Sequence, residues 1–261
     1  MDDIRTRTAE LSGAIIPELR ELTTADLRAA LAAGWRDFIG APLFGLFFAA
    51  FYVLGGLALY FGLLAAGEPV WFVFVAAGFP LLAPFAAVGL YEVSHRRETG
   101  EPLSWGPVLG ALRGQGDGQL PVMAVVVLLV FGFWIILARG LVAIFVGQTG
   151  ITVDIMDQLL SLRGVSMLLV GSAVGGALAL MLFTITAFSL PMLLDRRVDF
   201  MTAIITSMAA VRANPGVMAR WAAIIVALTV LAMVPLFLGL FLVLPLLGHA
   251  TWHLYRRTVV G

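Results

Sequence analysis

"VMARWAAIIVALTVLAMVPLFLGLFLVLPLLGHATWHLY", residues 217–255, is an almost unbroken apolar run of 39 residues. A membrane span takes about 20 residues, so the run is too long for one ordinary crossing and barely long enough for two. Pro235 stands near its middle, where a helix would lose a hydrogen bond and clash with its preceding turn. The pattern therefore predicts a tight hairpin of 217–234 and 237–255. A hairpin returns Arg256 and Arg257 to the side from which the run set out, whereas a single bent helix would leave them on the other.

The rest of the chain sets the same problem. It is 61% hydrophobic and 12% charged, with a mean hydropathy of +1.02. Soluble domains are about 45–50% apolar and about 25% charged, so this composition belongs in a bilayer. Stretches of the required length lie at 42–66, 70–94, 121–146 and 165–194. With the hairpin they make six transmembrane helices in an all-α integral membrane protein. Residues 1–23 read as a cytoplasmic N-terminal segment and 24–257 as a single membrane domain. The opening "MDDIRTRTAELSG" is polar and partly acidic, unlike a cleaved signal peptide.

Arginine placement tests the count, because cytoplasmic connections carry the excess of positive charge. All sixteen basic residues are arginine, a bias that points to a GC-rich bacterium. Six spans with both termini inside put Arg5, Arg7, Arg20, Arg28 and Arg36 in the cytoplasm, followed by Arg96, Arg97 and Arg113. Arg196, Arg197, Arg212, Arg220, Arg256 and Arg257 join them. Outside lie Glu68, Asp154, Asp157 and Arg163, with Arg139 inside the third span. Five spans would strand Arg256 and Arg257 outside, so six is the better reading, in a bacterial inner membrane.

Arg-Arg recurs at 96–97, 196–197 and 256–257, each time after a pair of spans, with Pro84, Pro191 or Pro245 upstream. Before each pair lies a similar segment: "DLRAALAAGWRDFIGAP", "LSWGPVLGALRGQGDGQLP" and "DFMTAIITSMAAVRANP". In the first, Leu27, Ala30, Leu31, Gly34 and Phe38 fall at helical spacing behind Thr23 and Asp26, which have the form of a capping box. Trp105, Val108, Leu109 and Leu112 repeat the spacing, as do Met201, Ile204, Ile205, Met208 and Val211. These read as in-plane helices with arginine toward anionic headgroups. One reading is three parallel repeats, 24–97, 103–197 and 199–257. The other is that arginine after a span and a short amphipathic segment before one are common in such proteins. Parallel repeats occur in transporters.

Few residues carry chemistry. Arg139, within a span, is a candidate for a ligand or ion path, since a central intramembrane arginine costs at least about 2.5–3.5 kcal/mol. The competing reading is structural: it snorkels to the outer interface and pairs with Asp154 or Asp157. Glu92, three residues before His95, shares a helix face with it; the pair is a second candidate, set against a salt-bridged helix end. His249 and His253 are four apart, as on metal-binding helices, but "HATWH" lacks the glutamate of a metalloprotease motif. With His95 they form a conceivable zinc site. The interfacial belt of Trp252, Tyr255, Arg256 and Arg257 is preferred, so no metal or other cofactor is expected. No cysteine is present, which excludes disulfides and thiolate sites.

Glycines describe packing: Gly171 and Gly175 in "GSAVGGALAL", and Gly55, Gly56 and Gly62 in the first span, permit close helix approach. Pro80, Pro84, Pro191 and Pro245 are expected to kink their helices.

The segments "AAGWRDFIGAPLFGLFF", "FAAVGLYEVSHRRETGEPLSW", "LLDRRVDFMTAIITS" and "LPLLGHATWHLYRR" resemble a family of bacterial integral membrane proteins catalogued as a domain of unknown function. Some of its members are labelled cytochrome c oxidase subunit I. The resemblance implies a multi-span inner-membrane protein and assigns no activity. A haem-copper catalytic subunit draws its ligands from more histidines than the three in this chain, so that role is excluded. The expected function is a non-catalytic accessory, assembly or scaffolding component of a membrane complex, respiratory or other, and not an enzyme. The alternative is a small transporter or channel. Partners would be the lipid bilayer and other membrane proteins, not nucleic acid.

Overall fold

A computed structural model describes residues 18–67, 83–111, 118–145 and 160–260. Outside them fall 70–82 of the second expected span, Pro80, Leu112, and the charged Arg5, Arg7, Glu68, Arg113, Asp154 and Asp157. A two-residue strand β1 (Glu18–Leu19) precedes ten helices: α1 (Thr24–Gly40), α2 (Pro42–Ala65), α3 (Ala83–Thr99), α4 (Trp105–Gly110) and α5 (Gln119–Phe145) come first. Then follow α6 (Leu162–Thr186), α7 (Ser189–Asp195), α8 (Phe200–Ala213), α9 (Pro215–Met233), α10 (Leu240–Thr258) and the strand β2 (Val259–Val260). β1 and β2 pair antiparallel, Glu18 opposite Val260 and Leu19 opposite Val259, so the two ends of the described chain are tied together.

Four helices are long and apolar enough to cross a membrane: Pro42–Ala65, Gln119–Phe145, Leu162–Asp195 and Pro215–Met233. Six are not reached on apolar length among the described residues. Part of the second expected span lies outside them, and the sixth, α10, is amphipathic, its second half carrying His249, His253, Arg256 and Arg257. The hairpin itself is present. Residues 234–239 form the turn between α9 and α10, with Leu236 and Phe237 at positive φ (50° and 65°). Gly239 packs so closely on Ala232 that an added Cβ would lie 2.6 Å from its Cα.

The fourth expected span is broken. Helical geometry lapses at Ala187–Phe188, between α6 and α7, four residues before Pro191, whose ring would meet the Ala187 carbonyl in a continuous helix. Ser207 of α8 enters the gap. Its Oγ accepts the Phe188 N–H at 3.1 Å and donates to the Thr184 carbonyl at 2.8 Å, bridging the hydrogen bond that the break removes. Pro245 has a milder effect: α10 runs through it.

The three lead-in segments are helical and share one end of the bundle. α1 has the expected capping box, the Thr23 hydroxyl accepting the Asp26 N–H while the Asp26 carboxylate accepts the Thr23 N–H. At its start, the Leu22 N–H bonds Asn214 Oδ1 (2.6 Å) and the Arg20 N–H bonds the Thr258 carbonyl (2.9 Å). At its far end, Asp37 reaches Arg97 and His253. A 17-residue helix is about 25 Å long, and α1 packs lengthwise against α10, from the Thr258 carbonyl at its start to the Ala250 backbone beside Gly34. At α8, the Phe200 N–H bonds Gln119 Oε1 at the start of α5, and Asn214 stands at the start of α9.

α1 buries the face its spacing predicts, whereas α8 does not. α1 buries Leu27, Ala30, Ala33, Gly34, Asp37 and Phe38. α8 buries small residues, Ala203, Thr206, Ser207 and Ala210, while Met201 and Ile205 are exposed. Small side chains let α8 lie close on the bundle with its large apolar residues outward, while α1 packs through Leu27 and Phe38 as well as its small residues. Among the described residues the most extensive helix contact is between α10 and α1, where Gly34 is so close that an added Cβ would lie 2.6 Å from the Ala250 nitrogen.

Candidate functional site: a charged network at one end of the bundle

The exits of α3, α7 and α10, the three Arg-Arg segments, end side by side. Their charged groups bond one another in two neighbouring clusters, with α1 contributing one carboxylate.

The deeper cluster is built on Asp37, 7% exposed. Its Oδ1 accepts Arg97 Nε at 2.9 Å. Its Oδ2 accepts the Ser94 hydroxyl and His253 Nε2, both at 2.7 Å. Ser94 Oγ also lies 2.8 Å from His249 Nδ1. The Ser94 proton goes to the carboxylate, so His249 is the donor in that last bond. Gly40 admits Arg97, whose guanidinium occupies the space a Cβ there would take. Burial pushes the Asp37 carboxyl up, but bonds from His253, Ser94 and Arg97 and the nearby His253 charge outweigh it and hold the pKa at about 2. The carboxylate is therefore a fixed negative charge at any physiological pH.

The outer cluster is built on Asp195 and Glu98. Asp195 accepts the Tyr255 hydroxyl at 2.7 Å and Arg256 Nη1 at 3.2 Å, and lies 3.8 Å from His95 Nδ1. Glu98 accepts Trp252 Nε1 at 2.9 Å and Arg256 Nε at 3.2 Å. Arg196 donates to the Tyr255 hydroxyl and the Val259 carbonyl. The His95 ring meets Trp252 edge-on at 5.3 Å.

The sequence candidates fall as follows. Glu92 pairs with Arg96 one turn on, at 2.5 Å, as in a salt-bridged helix end, and Arg96 continues to Glu101 at 3.2 Å. His95, His249 and His253 are near one another but take three different partners, Asp195, Ser94 and Asp37. Among the described residues no group of three ligating side chains is arranged to hold a metal ion. Arg139 is exposed on α5, twenty residues and so about 30 Å from Gln119. That is about the hydrocarbon thickness of a bilayer. Its expected partners Asp154 and Asp157 are outside the described residues. Gly175 takes the Trp134 ring of α5, 2.8 Å from an added Cβ, so the glycine motif packs within this bundle.

Sequence reasoning missed Asp37, Ser94 and Ser207. Asp37 had a usable signal: three residues after Gly34, it puts a carboxylate on the apolar face of an amphipathic helix.

Residues 72–195 match a family model described as "Predicted integral membrane protein (DUF2189)". The match bears out the resemblance to a membrane-protein family of unknown function, and with the four apolar helices it makes the chain an integral, multi-pass membrane protein in contact with lipid. No curated protein and no solved structure matches the chain. The matched stretch includes Ser94, Arg97 and Asp195, while Asp37, His249 and His253 lie outside it.

Proposed function

We propose, for an integral multi-pass membrane protein of this architecture, a non-catalytic role as an accessory, assembly or scaffolding component of a membrane complex. The observation that carries this reading is where the charges are. Among the described residues only Arg139 and Arg163 lie away from the arginine end, and at that end carboxylates and arginines neutralise one another in ion pairs. A transport path or catalytic centre needs polar groups at depth; here they close one end of the bundle. Meanwhile α5 turns Val125, Leu129, Phe133 and Ile136 outward along one stripe, a surface suited to lipid or a partner's spans.

In this reading the chain makes six crossings of a bacterial inner membrane with both termini cytoplasmic. The neighbouring exits of α3, α7 and α10 support an even number of crossings between them, and α1, α4 and α8 suit the lead-in helices of three repeats. A small transporter is the second reading. The break at Ala187–Phe188, beside an apolar cleft, favours it as a hinge.

Two measurements test this. A phosphatase fused after residue 258 should be inactive and a cytoplasmic reporter active; the reverse pattern refutes six crossings. Photocrosslinkers at Leu129 and Ile136, at native expression, should give one discrete adduct with another membrane protein. Lipid adducts alone, together with solute flux in proteoliposomes, would replace the scaffold by the transporter.

A further inference from the structure

α5 and α6 meet the rest of the molecule through α7 and α8 at the arginine end. Further along, α6 stands off from α9 and α10, and an apolar cleft of 540 Å³ opens between them, with α3 and Tyr52 of α2 behind. Trp221 and Tyr91, both fully or nearly buried, line its arginine end, and Met233 and Phe237 line the other. Trp221 and Met233 are twelve residues apart on α9, so the cleft is about 18 Å long. The hydroxyls of Thr186 and Thr251 on its wall bond the carbonyls of Leu182 and Leu247 in their own helices, leaving them satisfied without an occupant.

We propose that this cleft holds the acyl chains of a bilayer phospholipid, inserted from the Phe237 end with their methyl ends toward Trp221. Three physical points select that occupant. Water is disfavoured, because a dry apolar wall offers too few hydrogen-bond partners to retain it. The cleft runs about 18 Å along α9. A hydrocarbon chain about 4 Å across takes roughly 230 Å³ over the same length, so one or two fit. An empty cleft would forfeit the dispersion contacts of both walls, and in a bilayer acyl chains are always at hand. The length also agrees with one leaflet, about half of a 30 Å hydrocarbon core. The inference needs only that the chain sits in a bilayer, so it stands or falls apart from the scaffold reading.

The test uses the full chain in nanodiscs of phospholipid brominated either near the methyl end or near the carbonyl. Trp221 lines the cleft yet is only 1% exposed, so bromine acts on it by proximity from within the cleft, and variants that block the cleft separate this from bulk lipid. The Trp221 emission, taken as the difference from Trp221→Phe, should be strongly quenched by methyl-end bromine and little changed by carbonyl-end bromine. Gly176→Leu should abolish the quenching. Gly176 lines the cleft, and an added Cβ there meets nothing within 4 Å, so a side chain can start into the cleft without a clash at its base; Ala179→Leu is a second blocker. Mass spectrometry of the detergent-purified protein should find phospholipid retained by the parent and lost from both variants. Equal quenching by the two lipids, quenching that survives Gly176→Leu, or retention of a lipophile without acyl chains would each overturn the proposal.

Discussion

Asp37 of α1 and His253 of α10, 216 residues apart in the chain, meet at 2.7 Å between Oδ2 and Nε2. With Ser94 and Arg97 of α3 on the same carboxylate, one side chain fastens α1 to two helices of the bundle. Replacing Asp37 by Asn keeps the shape but removes the charge, leaving the Arg97 guanidinium without its anion. The expected loss is about 2–3 kcal/mol, below the usual figure for a broken buried pair because Arg97 is partly exposed and can rehydrate. Thermal unfolding in detergent should show it, alongside faster tryptic cleavage at Arg28 and Arg36 as α1 loosens. Glu21→Gln, on an exposed residue, should change stability by less than about 0.5 kcal/mol.

The same carboxylate sets an acid limit. Its folded pKa is depressed to about 2 from an unfolded value of about 3.9. A depressed acid contributes stability that is complete above the unfolded value and disappears as pH falls through the folded one. The attachment of α1 should therefore be unchanged from neutral pH to about 4 and weaken between about 4 and 2, by about 2–3 kcal/mol in all. Unfolding midpoints of the parent and Asp37→Asn should converge over that window. Convergence already complete at pH 5 would show that Asp37 is not held as a low-pKa carboxylate.

How far these contacts were legible in the sequence depends on whether they are local. The Thr23–Asp26 capping box and the hairpin at Pro235 were readable, because each is decided within a few residues. The Arg-Arg exits were recognisable one at a time as anchors. That Arg256 would take Asp195 and Glu98, or that Arg97 would take Asp37, follows from which helix ends lie side by side, and hydropathy does not encode that. Ser207 is a similar case: α8 reads as amphipathic through Met201, Ile204 and Ile205, whereas what it packs with is the small-residue face opposite.

Close approach makes Gly34 a sharp test of the α1–α10 contact. A Cβ at that position would lie 2.6 Å from the Ala250 nitrogen and 2.9 Å from its Cα, backbone atoms that cannot swing aside. Gly34→Val should displace α1 and destabilise by about 1–3 kcal/mol, the usual range for overpacking. Gly62→Ala, where nothing lies within 4 Å, should be neutral or stabilising by up to about 1 kcal/mol through helix propensity. Equal unfolding temperatures for the two variants would mean the contact is looser than described.

Ser207 carries the last prediction, because its hydroxyl stands in for a missing backbone hydrogen bond. Ser207→Ala leaves the Phe188 N–H and the Thr184 carbonyl facing each other across the break without the Ser207 bridge. Phe188 is fully buried, so water cannot take over without opening the structure, and the expected loss is about 1–3 kcal/mol. Hydrogen exchange should localise it, with the Phe188 amide exchanging faster while amides in the middle of α6 are unchanged. Ser207→Thr retains the hydroxyl and should restore much of the protection, less whatever the extra methyl group costs in a fully buried site. If Ser207→Ala leaves the Phe188 amide as slow as before, the break is held by Pro191 alone and the hydroxyl is incidental.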